Sequence, residues 1–248
     1  MKLDGKSFFG RGADQKALRR RTGMVFQDPY ASLDPRMNIA DIVAEPLRAY
    51  HIAPGRGERL LRVLEMLESC GLRGDDMFKY PHQFSGGQRQ RICIARALIA
   101  QPDLVVCDEA VSALDVSVQA QIINLLCDLR EQRALTYIFI SHDLEVVRFV
   151  ADRIAVMYLG RIMELSRKED IFSRPSHPYT RMLLESAPVF GRRRDENAAG
   201  MDDRPIGAAP GKGCRFYPRC GFSKPECAEA EPSLKTVSEG HTAACHLL

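Results

Sequence analysis

Phe84-Ser85-Gly86-Gly87-Gln88-Arg89-Gln90-Arg91, followed by Leu104-Val105-Val106-Cys107-Asp108-Glu109 and then by Ser141-His142-Asp143, decides how this chain is read. Two adjacent glycines let a backbone approach a ligand closely. From Gln88 to Ala100 the apolar positions Ile92, Ala95 and Ile99 recur at helical spacing, which predicts a helix. Ser85 and the free amides at that helix start make an anion site. A serine-capped helix after a glycine turn would account for Ser-Gly-Gly alone. The whole string, ahead of an apolar strand that ends in two carboxylates, points to phosphate chemistry instead.

Working outward, 248 residues suffice for one α/β core plus an appendage. A hydrophobic content of 45% supports a packed domain, and a net charge of +3 is too small to argue for nucleic acid or an anionic membrane. No run of apolar residues is long enough to span a bilayer, and Met1 to Lys6 has no apolar signal-peptide core. Strands are predicted at Gly23–Gln27, Asp103–Asp108, Leu135–Ser141 and Ile154–Tyr158, the middle two buried as central parallel strands are. Helices are predicted at Asn38–Tyr50, Arg59–Cys70, Val116–Gln132, Leu144–Ala151 and from Pro178 to about Ser186. The alternation argues for βαβ units. Residues 191–213, rich in Arg, Asp, Ala, Gly and Pro, read as a linker, and 214–248 as a separate small unit.

These motifs resemble the ATP-binding subunits of ABC transporters. Phe84 to Arg91 is similar to the family's signature motif, Leu104 to Glu109 to its Walker B strand, and Ala113-Leu114-Asp115 to its D-loop. His142 resembles the switch histidine, and Gln27 in Val25-Phe26-Gln27-Asp28-Pro29 the Q-loop glutamine. Gln27 to Arg36 and His177-Pro178-Tyr179-Thr180 are most similar to the oligopeptide, dipeptide and nickel importer ATPases. The resemblance implies a P-loop NTPase-like α/β core over residues 1–190, with a helical subdomain at about 38–100. It implies ATP and Mg²⁺ as ligands, and nucleotide contacts from Ser85, Gly86, Gly87, Gln88 and Asp115. It also implies a second ATPase subunit and two membrane permeases as partners, a substrate-binding protein as an indirect one, and a place on the cytoplasmic face of the membrane. Nucleic acid is not an expected partner. Two departures are small: Ala110-Val111 stands where Pro-Thr is common, and Phe84 where Leu is.

The chemistry of the residues agrees. Asp108, at the end of a buried strand, is the expected partner of Mg²⁺ through water. Glu109 is the expected general base for an attacking water. His142 can donate to a phosphoryl oxygen, and Gln27 can sense metal and water while its loop, Asp28 to Arg36, faces the permeases.

A phosphate loop needs G-x-x-x-x-G-K-[ST] between a strand and a helix. Gly5-Lys6-Ser7 does not meet that pattern: no apolar strand precedes it, and Phe8-Phe9-Gly10-Arg11-Gly12 breaks the helix it should cap. The expectation is a core incomplete at its N-terminus, binding ATP weakly in its own half-site while its signature completes a partner's. Whether this chain is itself an enzyme is therefore open. The alternative is a truncated, non-catalytic subunit that lends its signature motif to a partner ATPase. A soluble DNA-repair ATPase is excluded by the short span between Gln27 and Ser85, which leaves no room for a coiled-coil arm.

Cys214, Cys220, Cys227 and Cys245 crowd the tail. Their spacing is wider than the C-x₂₋₄-C pairs that structural zinc favours, while a four-cysteine cluster tolerates it. Resemblance to the peptide-importer tail implies a [4Fe–4S] cluster on these four; zinc and no metal stay open. Cys70, Cys93, Cys107 and Cys127 read as buried apolar thiols.

Overall fold

Three runs of β-branched and apolar residues make a small parallel sheet, and helices rich in Leu, Ile and Ala cover one of its faces. The computed structural model describes residues 2–3, 6–7, 15–186 and 211–248. The chain divides into two compact units, residues 1–146 and 147–248. In the first unit, β1 (Lys2–Leu3), β2 (Lys6–Ser7), α1 (Gln15–Arg20) and β3 (Thr22–Val25) lead into α2 (Ile39–Val43), α3 (Glu45–Ala49), α4 (Arg56–Ser69) and α5 (Gly86–Leu98). Then come β4 (Leu104–Asp108), α6 (Val116–Arg133), β5 (Thr136–Ile140) and α7 (Leu144–Val150). Strands β3, β4 and β5 pair in parallel in that order. Val25, Cys107 and Phe139 stand in one row, and Met24, Val106 and Ile138 in the next.

Alternate residues of a strand face opposite sides, and here the two sides differ. Val25, Val105 and Cys107 are buried, whereas Met24 is 41%, Ile138 39% and Ile140 46% exposed. Residues 135–141, expected as a fully buried strand, therefore form a half-exposed one. The reason is cover: the sheet face that carries Ile138 and Ile140 on β5, and Met24 on β3, has nothing packed over it among the described residues.

Helix α5 is the hub of this unit, packing against α2, α3, α4, α6 and β3. It begins two residues before Gln88, because Ser85 and Gln88 cap each other. The helix expected over 38–50 is two helices, broken at Ala44 where Pro46 enters the first turn of α3. Burial drives the thiols of Cys70 and Cys107 up to about 12 and that of Cys93 to about 11, as inert core thiols should behave. Cys127 is only half-buried.

The second unit departs further from the expected βαβ pattern. Strand β6 (Arg153–Tyr158) does not extend the parallel sheet. It turns through Leu159-Gly160, both at positive φ (45° and 77°), into antiparallel β7 (Arg161–Arg167). Helices α8 (Lys168–Ser173), α9 (Pro178–Ser186) and α10 (Glu226–Glu229) follow, then β8 (Lys235–Ser238) and β9 (His241–Ala243). The sheet order is β6-β7-β9-β8. The tail is thus not a separate unit: β9 pairs with β7 through Glu164–Ala243 and Leu165–Thr242. The expected linker falls mostly at 191–210, outside the described residues.

Tyr158, Tyr179 and Phe216 pack ring to ring, with centroids 4.7 to 5.5 Å apart. Beside them Glu164, wholly buried, binds His241 Nε2 at 2.7 Å and accepts the amides of Ser176 (2.7 Å) and His177 (3.0 Å). His177 is 1% exposed, and its Nδ1 accepts the Tyr179 amide at 3.0 Å. Burial depresses the His177 pKa from its usual 6.5 to about 4, against the pull of nearby Glu164. Between those values the unfolded chain binds a proton that the folded chain refuses, so stability rises with pH. The contribution is complete above pH 6.5 and lost as the pH falls through about 4, about 3 kcal/mol in all. Thermal melts from pH 4 to 7.5 should show that slope, and His177→Asn, which keeps an acceptor for Tyr179, should flatten it.

Candidate functional site

The parallel register brings three strand ends together. Gln27 lies two residues past β3, Glu109 directly after β4, and His142 two residues past β5. The Glu109 carboxylate receives Gln27 Nε2 at 2.8 Å on one oxygen and stands 3.2 Å from His142 Nδ1 through the other. Its amide donates to Ile140 O at 3.0 Å, and its carbonyl accepts the amide and hydroxyl of Ser112. Glu109 has φ of 47°, the left-handed region that side chains avoid. That turn is how two adjacent residues, which a continuing strand would send to opposite faces, both come to the strand ends. Asp108, half-buried, lines a cleft of about 770 Å³ with Gln27, Met24, Phe26, Tyr50 and Arg96.

A second constellation is built on the starts of α5 and α6. Ser85 Oγ accepts the Gln88 amide at 3.3 Å, and Gln88 Oε1 accepts the Ser85 amide at 3.0 Å. The serine-capped helix is therefore real. It leaves the Ser85 hydroxyl proton able to donate outward, because the cap uses only the oxygen's acceptor side. A side chain at Gly87 would meet Val118 of α6 at 2.4 Å, so this glycine serves helix packing; Gly86 has more room, 3.6 Å from Leu114. Asp115 caps α6, taking the Val118 amide (3.0 Å) and the Ser117 hydroxyl (2.7 Å), bonds that hold its carboxyl below the usual carboxylate range.

The structure thus joins Gln27, Glu109 and His142 directly, sets Asp108 on the same strand end, and groups Ser85, Gly86, Gly87, Gln88 and Asp115 at two helix starts. Sequence reading missed the arginines of α5. Arg89 reaches Pro81 O (2.7 Å), Arg91 reaches Cys70 O (2.8 Å) and Arg96 reaches Ser32 O (2.6 Å). A detectable signal was Arg89 itself, a cation in the first turn of a helix, where the macrodipole disfavours one.

In the second unit Cys214, Cys220, Cys227 and Cys245 line one small cavity, of about 10 Å³, together with His177, Phe216 and His246. Cys227 Sγ accepts the Lys224 amide at 3.4 Å and Cys245 Sγ the Leu247 amide at 3.5 Å. Burial pushes the thiols of Cys214 and Cys220 up. The metal centre expected here is not realised as ligand geometry: among the described residues no three His, Cys, Asp or Glu side chains stand at metal-ligand spacing. The physical reason is packing: Cys214, Cys220 and Cys227 join an apolar cluster with Tyr158, Met163 and Phe216.

Among the described residues no helix is long and apolar enough to cross a membrane. The profile of a family described as ABC transporter matches residues 1–112, and that of the oligopeptide/dipeptide transporter C-terminal region matches 163–227. The chain is 49% identical over 236 residues to an oligopeptide transport ATP-binding protein of Bacillus subtilis, AppF, covering 94% of this chain and 71% of that one. It is 48% identical over 245 residues to the dipeptide transport ATP-binding protein DppF of Haemophilus influenzae, covering 97% and 74%. A putative peptide import ATP-binding protein of Brucella ovis is 49% identical over 233 residues, covering 94% and 73%.

The left-handed conformation of Glu109 has a measurable cost. Glu109→Gly should be more stable than Glu109→Ala by about 1 kcal/mol, because only glycine relieves the backbone. Equal melting temperatures for the two variants would show that Glu109 is unstrained.

Proposed function

The chain belongs to the ATP-binding proteins of the oligopeptide and dipeptide ABC transporters, and on that footing we propose that it is the ATP-hydrolysing subunit of an importer for di- or oligopeptides. The observation that carries the catalytic part is the Gln27–Glu109–His142 constellation on one strand edge beside Asp108. Asp108 would hold Mg²⁺ through water, and Glu109 would take a proton from the water that attacks the terminal phosphate. Gln27 and His142 position that carboxylate from either side. A neutral imidazole donates from one ring nitrogen only. While neutral, His142 therefore serves Glu109 or a phosphoryl oxygen, not both at once. The bond to Glu109 is then the resting arrangement, exchanged for a phosphate when nucleotide arrives.

These 248 residues hold no G-x-x-x-x-G-K-[ST] run. The exposed row of Met24, Ile138 and Ile140 supports a site completed by a further covering element, since parallel sheets are covered on both faces. The phosphate loop is assigned to that element. The signature at Ser85 serves the nucleotide of a second ATPase subunit, and the pair works on two permeases at the cytoplasmic face of the membrane. The lack of a phosphate-loop run in these residues favours a second reading, in which residues 1–248 lend their signature to a partner without turning over ATP themselves.

An iron–sulfur cluster in the tail is supported by four thiols around one cavity at spacings wider than zinc pairs, but they do not stand at ligand spacing, so the cavity of about 10 Å³ would have to widen to admit it. Cys214, Cys220, Cys227 and Cys245 would hold it as thiolates once their protons are displaced, and the cluster would supply cross-linking stability to the sheet around β9.

Two measurements test these readings. In the complex with partner ATPase and permeases, Glu109→Gln should lower ATP turnover at least about hundredfold with nucleotide affinity unchanged. If turnover is untouched, all hydrolysis belongs to the partner and the non-catalytic reading holds. Purified without oxygen, the chain should be brown and contain iron and sulfide. A colourless protein, with zinc or with no metal, removes the cluster.

A further inference from the structure

The segment after Gln27 is a preformed turn held at both ends. Asp28 Oδ1 accepts the amides of Tyr30 (2.8 Å) and Ala31 (3.3 Å), and Asp28 O accepts the Ser32 amide at 3.2 Å, so residues 28–32 form one internally bonded turn. At its start Gln27 is bound to Glu109 at 2.8 Å. Along its length α5 grips it twice, seven residues and two turns apart on one helix face. The Arg89 guanidinium lies 3.7 Å from the centre of the Tyr30 ring, and Arg96 Nη1 donates to Ser32 O at 2.6 Å.

The first of these grips is not what helix formation would choose. Arg89 is 8% exposed and lies in the first helical turn, where the dipole already presents positive charge. Its Nε donates to Pro81 O, but Nη1 is buried with no hydrogen-bond partner among the described residues. A buried guanidinium nitrogen without an acceptor is unfavourable, and the face of the Tyr30 ring is the compensating contact. Tyr30 for its part is 64% exposed, so burial of the ring does not explain where it sits.

We propose that Tyr30 and Arg89 are a positioning pair that ties the Gln27–Glu109 constellation to the Ser85 end of α5. A shift of Gln27 on or off Glu109 is carried by the 28–32 turn to the first turn of α5, and so to Ser85 and Gln88. Because Ser85 is assigned above to the nucleotide of the opposite subunit, the pair lets one half-site report on the other; this consequence rests on that functional reading, whereas the mechanical coupling does not.

The test has two arms. On the 248-residue chain, amide hydrogen exchange is followed at Gln88 and Arg89, whose amides bond to Ser85. Tyr30→Ala should speed exchange there about fivefold, the loss expected for one partly buried cation–π contact. Tyr30→Phe, which keeps the ring face, should restore wild-type exchange, and the amides of Ile122 to Leu129 in α6 should not change in either variant. Unchanged exchange at Gln88 and Arg89 in Tyr30→Ala, equal damage from Tyr30→Phe, or parallel loss in α6 would each overturn the coupling. In the assembled complex, Tyr30→Ala should lower kcat about tenfold with KM for ATP within about twofold, and Tyr30→Phe should recover it. A complex whose turnover ignores Tyr30→Ala, while exchange responds, overturns the link between half-sites. If the complex with wild-type chain has no turnover, the functional reading fails and the exchange arm alone decides the coupling.

Discussion

Everything at the candidate site hangs on the parallel pairing of three short strands. Rows such as Val25–Cys107–Phe139 fix where each strand stops, and the stops are where Gln27, Asp108, Glu109 and His142 stand. A one-residue slip in such a sheet would turn each side chain to the other face. The Glu109 amide locks the arrangement by bonding Ile140 O, across the β4–β5 ladder. The left-handed turn at Glu109 then re-aims one carboxylate while Asp108 stays in the strand. Strain at one backbone position is thus how Glu109 reaches Gln27 and His142 while its neighbour Asp108 keeps to the strand.

The second organising element is α5. Its three arginines each leave the helix to cap a carbonyl elsewhere: Pro81 before it, Cys70 at the end of α4, and Ser32 in the segment after Gln27. Guanidinium groups suit this task because their planar forks satisfy carbonyls at a distance from the helix. The helix that carries the Ser85 cap is therefore also the helix that ties the segments packed around it, and its glycine at 87 lets α6 sit against it.

Much of the first unit was legible from residue pattern. The apolar run before Asp108 and the helical spacing after Gln88 have strong local causes, and the structure shifts their ends by only one or two residues. The motif order carried the site: Gln27, Glu109 and His142, far apart in the chain, do meet. What could not be read was long-range. Nothing local in Arg161–Arg167 says that its edge will take residues 241–243, so the tail read as separate. Nor does the sequence tell that Gly87 answers to Val118 or that Arg89 will lie under Tyr30, because those are relations between elements. The half-exposed β5 was misjudged for the opposite reason: its residues are apolar enough for a covered strand, and pattern does not report what lies on top.

The pairing of β7 with β9 has a consequence for how the protein is made. Glu164 and His241, locked together in that sheet, are 77 residues apart in the chain. On the ribosome β7 emerges long before its neighbour, carrying a carboxylate whose buried place exists only when the last strand arrives. The first unit closes contacts just as distant, Gln27 with Glu109 across 82 residues, but all its partners have emerged by Val146, whereas β7 waits for residues 241–243. A chain that stops before residue 241 would keep its strand-edge chemistry and present the edge of β7 unpaired, open to another strand.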